Sequence, residues 1–360
     1  MTPATVPVVT VRVGFLGAGL IATYHSKSLH VGGADVAWAG VFDPDRARAE
    51  EFAAASGATV CATEDEVLDG CDAVYVCTWT AAHPAIVAAA AERGLAVFCE
   101  KPLAVDLATA QAMTSAVEAA GVVNQVGLVL RHSPAFGLLG ALAADAGNGR
   151  PMSVVFRDDQ FIPTQGHYRS TWRGDVTKAG AGTLLEHSIH DLDMLEQVMG
   201  PVVSVAAQTA RFHEIEGIED VASVLLRFAN GATGTLLSVW HDVLERPSLR
   251  RVELFCEKAY AVLEGDWFGP VEWTTTGAAP VRVEGDALID EARARGAALG
   301  NPDALFIDAV TKGERAWPSF ADALRAHTLA DAVYRSAAAG GAPIDVTPPS
   351  PAAVGAVSRR

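Results

Sequence analysis

Glu186 and His190 stand four residues apart in a run, Thr183 to Met199, that reads as a helix. A carboxylate one turn below an imidazole orients the ring and raises its proton affinity, as a general base requires. Asp193 and Gln197 continue the polar stripe at i+7 and i+11, while Leu184, Leu185, Ile189, Leu192, Leu195 and Met199 supply a broad apolar face. Two plainer readings compete. Thr183-Leu-Leu-Glu186 is also a capping box, and the stripe could simply face water. His187 and His190 could suggest zinc, but no third and fourth ligand stand nearby, so no metal is expected. Lys101 closes a short apolar strand in Glu100-Lys101-Pro102. Partial burial would lower its pKa and let it exchange protons near neutrality; exposed, it would form a surface ion pair with Glu100 or another carboxylate.

A second constellation sits near the N-terminus. The apolar run Val11 to Leu16 breaks into Gly17-Ala18-Gly19-Leu20-Ile21-Ala22, a G-x-G-x-x-A pattern. Glycines let backbone N–H groups approach a pyrophosphate, and the following helix start adds its partial positive charge. A second apolar run, Val36 to Phe42, ends on Asp43, 24 residues after Gly19. An acid there suits the ribose hydroxyls of NAD and opposes a 2′-phosphate, although Arg46 and Arg48 could accommodate NADP. The plain alternative is a strand–turn–helix with no ligand.

These residues need a scaffold, and the chain reads as two parts. Up to about residue 130, strands alternate with helices (Asp72 to Cys77, Ala96 to Cys99 and Val122 to Gly127 among the strands, Leu107 to Ala120 among the helices), which implies right-handed crossovers and a parallel sheet. Gly17, Asp43, Thr78, Lys101 and Gln125 all fall at or just past strand C-termini, where ligands of such sheets sit. After Arg131 the pattern changes to strands joined by short turns: Met152 to Phe161, Val202 to Phe212, Val221 to Phe228, Ala232 to Trp240, Arg251 to Phe255 and Ala259 to Leu263, with a hairpin at Asn230-Gly231. Further helices are expected at Pro302 to Thr311 and Ser319 to Ser336. The division is therefore 1–130, a dinucleotide-binding domain, and 131–360, an α/β domain with a mainly antiparallel sheet. The first ten residues and the tail after Ile344 read as loose.

Composition narrows the function classes. A net charge of −16 argues against nucleic acid and anionic membrane as partners. No apolar run reaches the length of a membrane span. Five cysteines without C-x-x-C spacing and no signal-like start suggest buried thiols and a cytoplasmic protein.

The glycine loop, Asp43, Glu100-Lys101-Pro102 and Gly182-Thr-Leu-Leu-Glu186-x-x-x-His190 together resemble the glucose–fructose oxidoreductase, inositol dehydrogenase and rhizopine-catabolism (Gfo/Idh/MocA) family across essentially the whole chain. The resemblance implies a Rossmann domain followed by an α/β domain whose open-faced sheet builds homodimers or homotetramers. It implies NAD(P)-dependent oxidation or reduction of a sugar or cyclitol hydroxyl, with a small polyol or sugar as the substrate. Lys101 would hydrogen-bond the reacting oxygen and His190 would transfer the proton. Glu186 stands where many members carry Asp, which leaves it between a His-orienting, substrate-binding role and pure capping. Gly17, Gly19, Leu20, Ile21, Asp43, Glu100, Lys101 and Gln125 would bind the dinucleotide, and Thr78, Trp79 and His83 match a loop that passes its nicotinamide and ribose. Trp172 and Arg173 resemble a W-R pair near the family's substrate pocket, where Arg131 and His187 are also expected. Two other readings use the same residues: a glycosidase that uses bound NAD transiently for oxidation, elimination and re-reduction, and a dinucleotide-sensing protein that has lost catalysis.

Overall fold

The computed structural model describes residues 10–166 and 168–347. The expected loose lead before Thr10, and the tail from Pro348 on, lie outside the described residues. The chain forms two compact units.

In the first unit six strands pair entirely in parallel: β1 (Val11–Leu16), β2 (Val36–Phe42), β3 (Thr59–Val60), β4 (Ala73–Val76), β5 (Ala96–Cys99) and β6 (Asn124–Val126), in the order β3-β2-β1-β4-β5-β6. The order reverses between β1 and β4, so a crevice opens beyond the C-terminal ends of these two strands. Register explains the core. Phe15, Tyr75 and Phe98 lie opposite one another on neighbouring strands. Their rings stack at 4.8 and 4.7 Å between centroids, and Phe306 packs edge-on against Tyr75 and Phe98. All four are fully buried, each contributing about 1.5–3 kcal/mol.

Phe306 is far from the others in sequence and corrects the expected division at residue 130. Gly300–Asp322 packs with the first unit, and Val105–Leu107 packs with the second. The reason is apolar: Phe306, Ile307, Ala309 and Ala316 complete the core built on Val11, Val13 and Phe15.

The second unit holds nine strands: β7 (Pro151–Phe161), β8 (Val202–Ala210), β9 (Val221–Phe228), β10 (Thr233–His241), β11 (Leu249–Cys256), β12 (Ala259–Glu264), β13 (Val271–Thr275), β14 (Val281–Val283) and β15 (Ile344–Asp345). Their order is β14-β13-β12-β11-β7-β10-β9-β8-β15, antiparallel except for the β10–β7 pair. One face, with Val154, Phe156, Val224, Leu226, Leu236, Val252 and Leu254, joins the core formed with the helices Pro134–Ala144 and Ile189–Met199. The other face is open: Val155, Leu225, Leu237 and Phe255 are among its exposed apolar residues.

Several expected elements change. β13, β14 and the helices Pro134–Ala144 and Gly285–Ala294 are additional. β8 stops at Ala210 because the Phe212 N–H turns to the Asp220 carboxylate. Ile344 and Asp345, expected to be loose, pair with β8. The helix over Thr183 to Met199 is broken: Thr183–Glu186 and Ile189–Met199 are separate segments.

Candidate active site

In the first unit the glycine loop packs on the end of β4. Gly17 has φ +90°, and a Cβ there would lie 2.5 Å from the Cys77 carbonyl oxygen, so only glycine fits. Gly19 caps the helix Leu20–Gly32 without any side-chain hydrogen bond, and a Cβ at this position would meet open space. The first N–H groups of that helix are thus placed for an anion, as a dinucleotide pyrophosphate requires. Leu20 and Ile21 expose apolar surface beside them, and Ala22 is buried. Asp43 sits at the end of β2; its Oδ2 accepts the Ala18 N–H at 2.9 Å and its Oδ1 accepts the Asp45 N–H. This fixes the acid against the loop, with the Arg48 guanidinium 3.7 Å away.

Past β4 and β5, Thr78, Trp79 and Lys101 are half-buried. Three other residues expected to touch the cofactor are occupied elsewhere. His83 is buried, with Nδ1 3.1 Å from the Pro102 carbonyl and Nε2 3.3 Å from that of Thr78, so it staples two loops together. Burial lowers its pKa. Gln125 is buried in β6 and donates to the Pro302 carbonyl. Glu100 points into the protein, where its oxygens meet His25 and the Lys101 N–H.

In the second unit the broken helix has a clear cause. Ser188 is fully buried and donates to Ser238 of β10 at 2.6 Å, and Thr183 Oγ1 lies 2.7 Å from the same hydroxyl. The start of the first segment and the break itself are therefore pinned to one hydroxyl of the sheet. The Ser188 N–H reaches back five residues to the Thr183 carbonyl. The capping-box reading of Thr183 and Glu186 fails as well: the N–H groups of Gly182 and Leu184 are capped by the Glu219 carboxylate at 2.8 and 3.0 Å.

The stripe does not lie on one continuous helix, nor does it face water as a whole. Glu186, His190 and Asp193 are buried and only Gln197 is exposed. Glu186 pairs with Arg173 at 3.4 Å; that guanidinium also donates to Ser170 and lies 4.4 Å over the Trp172 ring. Arg131, expected at the substrate, forms a two-pronged buried pair with Asp193 at 2.6 and 2.8 Å.

His187 belongs to a buried ionic cluster. Its Nε2 is 2.8 Å from Asp158 and also meets the side chains of Gln160 and Arg250. Arg250 is almost fully buried and pairs with Asp158, Asp191 and Asp266 at 3.0, 2.7 and 2.8 Å. Burial, and then the neighbouring Asp158 carboxylate, hold Asp191 up at about 7 against the pull of Arg250. The motif-based reading did not single out Asp158, Gln160, Asp191 or Arg250 as one cluster. A signal existed: Val154, Phe156, Asp158 and Gln160 share the inward parity of β7, so polar residues take over core positions at the strand end.

Residues 11–128 match the family model described as an oxidoreductase family with an NAD-binding Rossmann fold, and residues 136–262 match the GFO/IDH/MocA C-terminal domain. The chain is 30% identical over 338 residues to an inositol 2-dehydrogenase of Rhizobium meliloti (strain 1021), covering 91% of this chain and 97% of that protein. It is 33% identical over 236 residues to a scyllo-inositol 2-dehydrogenase (NAD(+)) of Bacillus subtilis (strain 168), covering 62% of this chain and 66% of that one. In fold it resembles a levoglucosan dehydrogenase solved with NADH, with a TM-score of 0.81 at 22% identity, covering 94% of this chain and 100% of that chain.

Proposed function

This chain belongs to the Gfo/Idh/MocA oxidoreductases, whose Rossmann domain binds NAD, and on that footing we propose that it interconverts a secondary hydroxyl and a keto group on a sugar, sugar derivative or inositol-like cyclitol. The observation that carries the substrate class is the match to an inositol 2-dehydrogenase over nearly the full length of both chains. The first unit takes the dinucleotide and the second takes the substrate.

NAD, when bound, supplies the hydride acceptor. The uncapped N–H groups from Gly19 to Ile21 hold its pyrophosphate, Asp43 receives a ribose hydroxyl, and Thr78 and Trp79 flank the nicotinamide end. Lys101 donates to the reacting oxygen and stabilises its growing negative charge. His190 takes the hydroxyl proton in oxidation and returns it in reduction. Glu186, paired with Arg173, holds that guanidinium for substrate hydroxyls, Trp172 offers its ring face to a sugar, and His187 hydrogen-bonds a further hydroxyl. A panel of inositols and sugars, assayed with NAD and with NADP by absorbance of the reduced nicotinamide, tests this reading. We expect NADH formation with at least one free polyol. Cleavage of glycosides with no net NADH from any free polyol would overturn the dehydrogenase reading.

The open face of the second sheet is the surface we assign to self-association as a homodimer or homotetramer. Leu225 lies opposite Thr235, which lies opposite Val155, so a row with two exposed apolar side chains flanking a threonine crosses three strands. Leu225→Arg is expected to lower the mass seen by light scattering to that of a monomer. An unchanged mass would place the interface elsewhere.

A further inference from the structure

Beside Lys101, within the first unit, three charged side chains are buried together. His25, Glu100 and Asp303 are 3%, 7% and 2% exposed. The His25 Nε2 lies 2.9 Å from Glu100 Oε1, and its Nδ1 lies 2.7 Å from Asp303 Oδ1. Each ring nitrogen meets a carboxyl oxygen, the arrangement in which an imidazolium donates to both acids. Burial opposes that charge, but the two acids overcome it and carry the His25 pKa to about 10. The ring sits against Tyr75 and the edge of Phe98.

Glu100 has a second connection. Its Oε2 accepts the backbone N–H of Lys101 at 3.1 Å. The carboxylate also presses on the end of β6, where a Cβ on Gly127 would fall 2.3 Å from Oε1. One carboxylate is thereby held by an imidazolium, a backbone donor and a glycine-sized gap. His25 lies on the helix that starts at the glycine loop. Asp303 lies on the helix Pro302–Lys312, which is tied to the first by Asn301 and Ser28.

We propose that His25, Glu100 and Asp303 are positioning residues: they lock the peptide that carries Lys101 to the helix that starts at the dinucleotide cradle. The proposal rests on the reading of Lys101 given above. A tie needed only for stability could be apolar, as the ring stack beside it is, since a buried ion cluster adds little net stability over well-packed apolar residues. What hydrogen bonds add is direction. The clamp fixes where the lysine backbone points, with Glu100 acting through the Lys101 N–H that it accepts.

The test uses the full chain, with a polyol substrate found in the panel. His25→Gln and Glu100→Gln are each expected to lower kcat by about tenfold to a hundredfold, the scale of misplacing a catalytic group by up to an ångström. The dissociation constant for NADH and the KM for NAD stay unchanged. Because His25 acts through Glu100, the double variant is no slower than the worse single one. Gly127→Ala, which displaces the carboxylate while keeping every charge, gives the same pattern and serves if a charge variant does not fold. Lys101→Ala, assayed alongside, separates the two readings. If it is inactive while all clamp variants turn over normally, the clamp is overturned and Lys101 stands. If Lys101→Ala itself turns over normally, the role of the lysine falls and the clamp with it. Strictly additive losses, or NADH binding weakened in step with kcat, would mark a merely structural role and also overturn the clamp.

Discussion

Replacing Lys101 or His190 by alanine will lower kcat by about two orders of magnitude or more, the loss expected when a positioned acid–base group is removed, with NADH binding retained. Lys101 is half-buried at the end of β5, where an ammonium can reach a bound oxygen without full desolvation. His190 is buried on the helix Ile189–Met199, which starts immediately after the pinned break. Neither residue forms part of the glycine cradle, so NADH titration by fluorescence should give similar affinities for the variants and the parent. If both variants keep near-normal turnover, proton transfer belongs to other residues.

The second large effect is on stability. Arg250→Met leaves Asp158 and Asp191 buried without their shared cation, and removing one partner from such a cluster costs about 3–5 kcal/mol. The melting temperature should fall by on the order of 10 °C; a fall of only a degree or two would show that the carboxylates relax without strain. The same cluster gives a pH signature. The folded state keeps the Asp191 proton up to about 7, well above the ordinary carboxyl value of 3.8. Between those values the folded form holds more protons than the unfolded one, so this group's contribution to stability is present at low pH and is lost as pH rises through about 7. Lowering the pH from 8 to 6 should therefore stabilise the protein, and Asp191→Asn, already neutral, should lose that gain. An identical pH response in both proteins would separate Asp191 from the effect.

The parts of the molecule written in local sequence were legible. Val11–Leu16, Val36–Phe42, Ala96–Cys99 and the helix Leu107–Ala120 fall where apolar runs and flanking glycines put them. The Asn230-Gly231 turn joins β9 to β10 as its dipeptide predicts. The helix Pro134–Ala144, which the sequence pattern did not reveal, is capped by Ser133, and seven of its eleven residues are buried, so it shows little of the two-sided pattern of a surface helix. What could not be read depends on distant partners. The break at His187 and Ser188 needs Ser238, 50 residues on. The Glu219 cap comes from 35 residues beyond the N–H of Leu184. The His25–Asp303 pair spans 278 residues. At the site, residue type revealed Lys101, His190 and the glycine loop as candidates. It could not show that Glu100, His83, Gln125 and Arg131 also bond within the protein, because their partners His25, Pro102, Pro302 and Asp193 are set by the fold.

The return of Gly300–Asp322 to the parallel-sheet unit bears on how such proteins can be recombined. A single crossover near residue 130 would deliver a nucleotide-binding half stripped of Phe306, Ile307 and Asp303, with greasy surface laid bare and an imidazolium missing one of its two counter-ions. Exchange of this half between relatives has to carry both stretches at once, so the two halves are inherited as an interleaved pair and not as beads on a string.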